Sequence, residues 1–183
     1  MSTALIVIDM LNSYDHEDAE PLMESVRETV QPLRELIEQA RRAGLLIVYV
    51  NDNHGDWAAG RMKLTERALA GRAPELIEPI APPPDVPFII KARHSVFYQT
   101  QLEYLLRHEE GIDRLLLTGQ VTEQCILYSA LDAYVRHFQC VVPRPAVAHI
   151  HPDLAEAAIR MMEENMRADI ADSVEDALQI VTA

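Results

Sequence analysis

The chain has 183 residues, 49% of them apolar, and a chain of this size fits one domain with a buried core. Acidic residues outnumber basic ones by 29 to 16, which gives a formal net charge of -13. This charge argues against nucleic acid or an anionic membrane as the partner, because both bind through concentrated Lys and Arg, and it favours a small-molecule partner.

Short runs of Leu and β-branched residues recur along the chain and predict buried strands. Their hydrophobicity is continuous rather than alternating, which is typical of parallel strands that are covered by helices on both faces. The predicted strands cover residues 4–8, 45–50, 86–90, 114–118 and 139–142, with a short sixth strand over residues 167–171.

Apolar residues at helical spacing mark the longer segments between these strands. Residues 22–43 are followed by Gly44, a residue common after a helix, and Pro32 is expected to split this segment into two helices or to mark a helix start. Crossover helices are predicted over residues 100–108 and 123–137. The inward positions of the second helix are predicted to be Ile126, Leu127, Ala130, Leu131 and Tyr134.

The C-terminal third carries two further helical patterns. Pro152 is expected in the first turn of a helix that runs to about Met166. Its inward positions are predicted to be Ala155, Ala158, Ile159 and Met162. Ser173 with Asp176 resembles the N-terminal cap of a last helix. The less regular residues 51–87 are expected to form a helix-bearing excursion over the edge of the sheet.

The alternation of strands and helices predicts an α/β fold in which a doubly wound parallel sheet of about six strands lies between two helical layers. This is a three-layer α/β/α, Rossmann-like arrangement. No Gly-x-Gly-x-x-Gly follows the first strand, which argues against a nucleotide-binding module. One domain over residues 1–183 accounts for the whole pattern.

The N-terminal residues 1–9 lack the basic start and the cleavage site of a secretory signal, and no run reaches the ~18 apolar residues of a membrane span. The chain is therefore expected in the cytoplasm, with no membrane partner. Without an export signal, the two cysteines, Cys125 and Cys140, are predicted to stay reduced. Cys140 lies within an apolar run and is interpreted as a buried strand residue.

Polar residues lie at the ends of three predicted strands, and ligands of doubly wound sheets bind at that carboxyl edge. Asp9 ends the first strand, Lys91 ends the third, and Cys125 follows the fourth by one turn, at an apparent helix start. The partial positive charge of a helix N-terminus is expected to lower the pKa of the Cys125 thiol. The combination predicts a cysteine nucleophile, with Asp9 as the acceptor of the thiol proton and Lys91 as the cation that stabilises both anions.

Three ordered segments resemble the isochorismatase-like cysteine hydrolases, a family that includes nicotinamidases, N-carbamoylsarcosine amidohydrolase and ureidoacrylate hydrolases. The segments are ALIVIDMLN at residues 4–12, KARHSVF at residues 91–97 with Thr100 and Leu102 following, and TGQVTEQC at residues 118–125. The resemblance covers nearly the whole chain. It implies that Asp9, Lys91 and Cys125 form a catalytic triad and that the peptide bond between Gln120 and Val121 is cis.

The same resemblance implies an isochorismatase-like hydrolase fold with strand order 3-2-1-4-5-6. In that order the backbones of Lys91 and Asp9 lie two strand spacings apart, about 10 Å, so the lysine side chain must lean over the second strand. The resemblance also implies an oxyanion hole formed by the backbone amides of Val121 and Cys125.

The retained thiol favours a cysteine amidohydrolase that cleaves a C-N bond of a small amide or carbamoyl-type substrate through a thioester, without a cofactor. Isochorismatase-type vinyl ether hydrolysis is one alternative, but it runs by protonation of the substrate and needs no nucleophile. A catalytically silent binding or scaffold subunit is another, and the intact set of Asp9, Lys91 and Cys125 argues against it.

A metal-dependent nicotinamidase is a further alternative, because Asp52 and His54 have the Asp-x-His form with which nicotinamidases hold a divalent metal. That metal site needs a further His downstream, and residues 55–93 contain none. His94 would be the third ligand, but it is equally placed to face the substrate. Two ligands rarely hold a catalytic metal, so no metal is predicted.

Several residues near the predicted strand ends are candidates for the substrate pocket. They are Asp52, His54, Trp57, His94, Phe97 and Thr122. Aromatic residues and the pair Met161 and Met162 favour a homo-oligomer. The pattern does not name the substrate, because the irregular residues 51–87 shape the pocket.

Overall fold

The predicted strands form one parallel sheet in the structure, a computed structural model that describes residues 2–182. Within this range the strands are β1 (Thr3–Ile8), β2 (Leu46–Asp52), β3 (Phe88–Lys91), β4 (Arg114–Gln120), β5 (Gln139–Pro143), β6 (Val147–Ala148) and β7 (Asp169–Ala171). Six of them follow the order β3-β2-β1-β4-β5-β7, which confirms the expected order, and the two-residue β6 pairs with β4. Residues 1 and 183 of the predicted domain lie outside the described residues.

Helices cover both faces of this sheet. They are α1 (Ala19–Arg42), α2 (Arg61–Leu69), α3 (Pro74–Ile77), α4 (Leu102–Tyr104), α5 (Leu127–Val135), α6 (Pro152–Met166) and α7 (Val174–Thr182). Leu5 and Val7 of β1 belong to the same buried cluster as α1 and α7, whereas Ile6 and Ile8 belong to the cluster that contains α5 and α6. Both faces of β1 are therefore buried, as predicted for a doubly wound sheet.

Pro32 lies inside α1, which runs through it without a break, so the expected division of this segment is wrong. Proline in a helix interior removes a backbone hydrogen bond and crowds the preceding turn, at a cost of about 3 kcal/mol. The inner face of α1 offsets this cost by burying large side chains, among them Leu22, Val26, Leu33 and Leu36. Each of these contributes about 1.5 to 3 kcal/mol, so packing on the sheet overrides the local preference.

The second crossover helix, α5, buries only part of the face that its apolar pattern predicts. Ile126, just before α5, and Ala130 are buried as predicted, whereas Leu131 and Tyr134 are 45% and 41% exposed. A π-helical turn over Thr122–Ile126 precedes α5, and its Ile126 N–H donates to the carbonyl five residues back. The buried side of α5 consists of small residues, Ser129, Ala130 and Ala133, and the larger Leu131 and Tyr134 lie beside it toward the surface.

The C-terminal predictions are confirmed. The boundaries of α6 agree with the predicted residues 152–166, and its four predicted inward residues are buried. At the start of α7 the Asp176 N–H donates to Ser173 Oγ at 3.0 Å. Residues 51–87 carry α2 and α3, as expected for a helix-bearing excursion. Among the described helices, none has the length and apolar character that crossing a membrane would require.

Candidate active site

Asp9, Lys91 and Cys125 meet at the carboxyl edge of the sheet. Asp9 directly follows β1, Lys91 is the last residue of β3, and Cys125 lies in the π-helical turn after β4. The Lys91 ammonium lies 2.7 Å from Asp9 Oδ2 and 3.5 Å from Cys125 Sγ. The side chain of Lys91 is fully buried and that of Asp9 is 10% exposed. An acid, a cation and a thiol are thus in contact where little water reaches them.

The Lys91 side chain crosses the end of β2 to reach Asp9. Lys91 lies opposite Asp52 in the pairing of β3 with β2, and Val50 lies opposite Ile8 in the pairing of β2 with β1. The Asp52 N–H donates to Asp9 Oδ1 at 2.7 Å, and the Asp52 carboxylate lies 3.8 Å from the ammonium. The length of the lysine side chain therefore bridges the two strand spacings between the backbones.

Two amide side chains hold the turn that carries Asp9, and the sequence-based reasoning missed both. Gln120 Nε2 donates to the Asp9 carbonyl at 2.6 Å. Asn51 accepts a hydrogen bond from the Leu11 N–H at 2.8 Å and donates to the Leu11 carbonyl at 3.2 Å. Both amides are buried at strand ends. Asp9 was identified as a polar residue at the end of a buried apolar strand, and the same criterion would have identified Gln120 and Asn51.

The peptide bond between Gln120 and Val121 is cis, as expected. It follows Gly119, which has a φ of +106° and touches β1 so closely that a Cβ there would lie 2.1 Å from the Ile8 carbonyl oxygen. Val121 and Cys125 line the same cavity, so both residues border the space that a ligand would occupy.

Burial raises the pKa of the Cys125 thiol well above its ordinary value, and the Asp9 carboxylate raises it further. The Lys91 ammonium acts in the opposite direction without outweighing them. The expected lowering of the thiol pKa is therefore wrong for the resting site, and the thiol keeps its proton until a base removes it. Burial also lowers the pKa of Lys91, but nearby anionic groups, Asp9 first among them, raise it overall, so the lysine stays charged.

A cavity of about 330 Å³ opens onto this group of residues. Besides Asp9 and Cys125, its lining includes three of the predicted pocket residues, Asp52, His54 and His94. The sequence-based reasoning did not identify Asn12, His16, Asp18 and Gln124, which also line it. A cavity of this size suits a small ligand.

The other three predicted pocket residues do not line this cavity. Trp57 is 84% exposed and borders an adjoining groove. Phe97 is buried in the core, where its ring stacks on Phe138 with the centroids 5.6 Å apart. Thr122 Oγ1 donates to the Ala148 carbonyl at 2.8 Å and so ties its turn to β6. Nearness to a strand end in sequence does not determine the direction of a side chain.

The side chains around the predicted Asp-x-His pair do not fit a resident metal ion. His54 Nε2 donates to the Leu11 carbonyl at 3.0 Å, and Asp52 Oδ1 accepts from the His54 N–H at 2.7 Å. In the described part of the chain, no three His, Cys, Asp or Glu side chains are grouped so that they could hold a metal. A catalytic zinc generally takes three protein ligands, so this pair serves to hold the loop.

Comparison with known proteins identifies relatives over most of the chain. Residues 3–175 match the family model of the isochorismatase domain. The isochorismatase family protein YaaI of Bacillus subtilis is 32% identical over 91% of this chain and 92% of its own. Maleamate amidohydrolase of Pseudomonas putida is 29% identical over 84% of this chain and 76% of its own. Among solved structures, the crystal structure of N-carbamoylsarcosine amidase from Thermoplasma acidophilum matches with a TM-score of 0.72 and a sequence identity of 31%. The match covers 93% of this chain and 96% of the amidase chain.

Proposed function

The chain belongs to the isochorismatase family of hydrolases, and from that membership we propose that it cleaves a C-N bond of a small amide or carbamoyl-type substrate through a thioester on Cys125. The observation that carries the proposal is the contact of Asp9, Lys91 and Cys125 beside a small cavity. The names of two relatives, maleamate amidohydrolase and N-carbamoylsarcosine amidase, support the substrate class.

In the first step Asp9 takes the proton of the Cys125 thiol, and the sulfur attacks the carbonyl carbon of the substrate. The raised pKa of the thiol makes a base necessary for this step. Lys91 touches both partners, so it stabilises negative charge on the carboxylate and then on the sulfur. The backbone amides of Val121 and Cys125 hold the oxyanion, a contribution that is typically about 2.7 to 4 kcal/mol per donor.

In the next step the protonated Asp9 gives its proton to the departing nitrogen while the C-N bond breaks. Ammonia or an amine leaves, and the acyl group stays on Cys125 as a thioester. Asp9 then removes a proton from water, the water oxygen attacks the thioester, and the sulfur leaves and recovers a proton. The products are an acid and ammonia or an amine.

Ammonia release from a panel of small amides tests this proposal. The panel contains maleamate, N-carbamoylsarcosine, nicotinamide and simple ureas. We expect turnover of at least one member, lost by about a thousandfold or more in Cys125→Ala. The matched variant Cys140→Ala should keep turnover, because Cys140 is buried in β5 and does not line the cavity. Turnover that survives in Cys125→Ala, of an amide or of a vinyl ether, would contradict the proposal.

A further inference from the structure

We propose that His94 is a second acceptor for the proton of the Cys125 thiol, beside Asp9. His94 Nδ1 lies 3.7 Å from Cys125 Sγ, within the range of a hydrogen bond to sulfur. Lys91 touches the same sulfur at 3.5 Å, but a charged ammonium only donates hydrogen bonds. The inference rests on the proposed role of Cys125 as nucleophile, and the triad implied by the family resemblance does not contain His94.

The fold holds the His94 ring against the helix that follows Cys125. The ring packs on Tyr128 of α5, with the ring centroids 5.4 Å apart and the planes inclined by 40°. Two residues further along the loop, the Val96 N–H donates to Ser129 Oγ, also in α5, at 3.1 Å. Because α5 anchors the loop and directly follows the turn of Cys125, the imidazole and the thiol keep their relative positions.

Proton transfer to His94 preserves the ion pair between Asp9 and Lys91. Both carboxylate oxygens of Asp9 already have a partner at 2.7 Å. Oδ1 accepts a hydrogen bond from the Asp52 N–H, and Oδ2 forms an ion pair with the Lys91 ammonium. Protonation of Asp9 removes the nearer of the two anions beside a fully buried lysine, which is unfavourable. Transfer to His94 leaves that pair intact and places a new cation beside the new thiolate.

The step is a proton transfer without any co-reactant. The S–H bond of Cys125 breaks and its electron pair stays on sulfur, while the proton forms an N–H bond at Nδ1 of a neutral His94 whose other ring hydrogen is on Nε2. The thiolate then attacks the substrate carbonyl. The imidazolium of His94, which lines the cavity, returns the proton to the departing nitrogen. On this second route Asp9 stays ionised and activates the hydrolytic water, whereas on the first route Asp9 itself carries the proton to the departing nitrogen.

The rate at which iodoacetamide alkylates Cys125 tests this inference, because alkylation follows formation of the thiolate and needs no substrate. Mass spectrometry of the Cys125 peptide gives the rate. His94→Ala should lower it about tenfold at neutral pH. Imidazole added to the solution should restore it, because His94 is exposed and its truncation opens a path to the thiol. His151→Ala, which removes an exposed histidine outside the cavity lining, should leave the rate unchanged.

Cys140 provides an internal control in the same experiment, since it is buried in β5 and should stay unlabelled while the fold is intact. If His94→Ala exposes Cys140, the same assay is made on His94→Gln, which keeps a polar side chain but no base. A lowered rate in that variant supports the inference. An unchanged rate in either variant overturns it, and so does a loss in His94→Ala that imidazole fails to restore while Cys140 stays unlabelled.

Turnover of the amide panel, measured in parallel, separates this inference from the proposed function. Alkylation that depends on His94, in a protein that releases no ammonia from any amide, would count against the proposed function and leave the role of His94 standing. Amide turnover by a protein whose alkylation does not depend on His94 would support the proposed function and overturn the role of His94.

Discussion

Lys91 is the residue whose surroundings constrain the site most strongly. Its ammonium is fully buried and contacts Asp9, Asp52 and Cys125, so it compensates the charge of two carboxylates and touches the thiol. A buried cation in this position is stable only while an anion lies beside it. The pair of Asp9 and Lys91 therefore contributes to the stability of the fold as well as to the chemistry.

Substitution of Lys91 by Met should lower the free energy of unfolding by about 3 to 5 kcal/mol, because it leaves the Asp9 carboxylate buried without its cation. Addition of Asp9→Asn removes that uncompensated charge, so the double variant should lose less than the sum of the two single losses. Urea unfolding of the four proteins measures the difference. Strictly additive losses would mean that the two side chains do not interact in the folded protein.

The second cysteine gives a prediction about alkaline pH. Burial raises the pKa of Cys140 from its ordinary value of 9.0 to about 12. Above pH 9 the unfolded chain loses the thiol proton while the folded protein keeps it. The folded state then binds more protons, and the free energy of unfolding falls with rising pH by about 1.4 kcal/mol per unit until the folded pKa is reached.

Cys140→Ala should remove this contribution, so its free energy of unfolding should fall less steeply than that of the wild type between pH 9 and 10.5. Urea unfolding across this range measures both slopes. Burial also raises the pKa values of Tyr14 and Tyr49, which therefore begin to ionise in this range only in the unfolded chain. Both are present in the two proteins, so their contributions cancel in the comparison. Parallel slopes would show that Cys140 is not shielded from solvent as the structure has it.

At the scale of the secondary-structure elements, the contact between β1 and β4 positions the site. Gly119 of β4 lies against the Ile8 carbonyl of β1, and the residues that follow each of them are Gln120 and Asp9. Gly119→Ala places a Cβ in that contact and demands a positive φ that alanine disfavours. The two strands must separate, which moves Gln120 and Asp9 apart.

Gly119→Ala should therefore lower the free energy of unfolding by about 3 kcal/mol and also reduce turnover. Gly60→Ala is the matched control, since a Cβ at Gly60 meets nothing within 4 Å. Thermal unfolding and the ammonia assay, applied to both variants, measure the effects. Equal behaviour of the two variants would contradict the close packing of β1 on β4.

Pro32→Ala should raise the free energy of unfolding by about 1 to 2 kcal/mol. The substitution restores a backbone N–H that can form a helical hydrogen bond inside α1. It also raises the conformational entropy of the unfolded chain, which offsets part of the gain in stability. Pro74→Ala is the control, because Pro74 occupies the first turn of α3, where proline costs little. Urea unfolding measures both changes. A less stable Pro32→Ala protein would mean that the proline ring makes contacts that matter more than the missing hydrogen bond.

At the scale of the whole molecule, the parallel sheet and the edge that carries the site could be predicted from the residues, because the core strands are apolar runs and polar residues follow or end several of them. Asp9 and Lys91 were found in this way. The strand order is what the family resemblance implies, since apolar runs do not say which strands are neighbours. Side-chain direction could not be predicted, as Phe97 and Thr122 illustrate, because it depends on packing between distant segments. The raised pKa of the Cys125 thiol was also missed, since burial is a property of the assembled fold.

The mass of the intact protein during turnover shows whether Cys125 carries the acyl group of the substrate. Wild-type protein is mixed with an amide that releases ammonia, and the reaction is stopped with acid while substrate is still in excess. We predict a mass increase equal to the acyl group of that amide, located on Cys125 and absent from Cys125→Ala. An acyl adduct that persists in Cys125→Ala, or steady amide turnover by that variant, would contradict a thioester on Cys125.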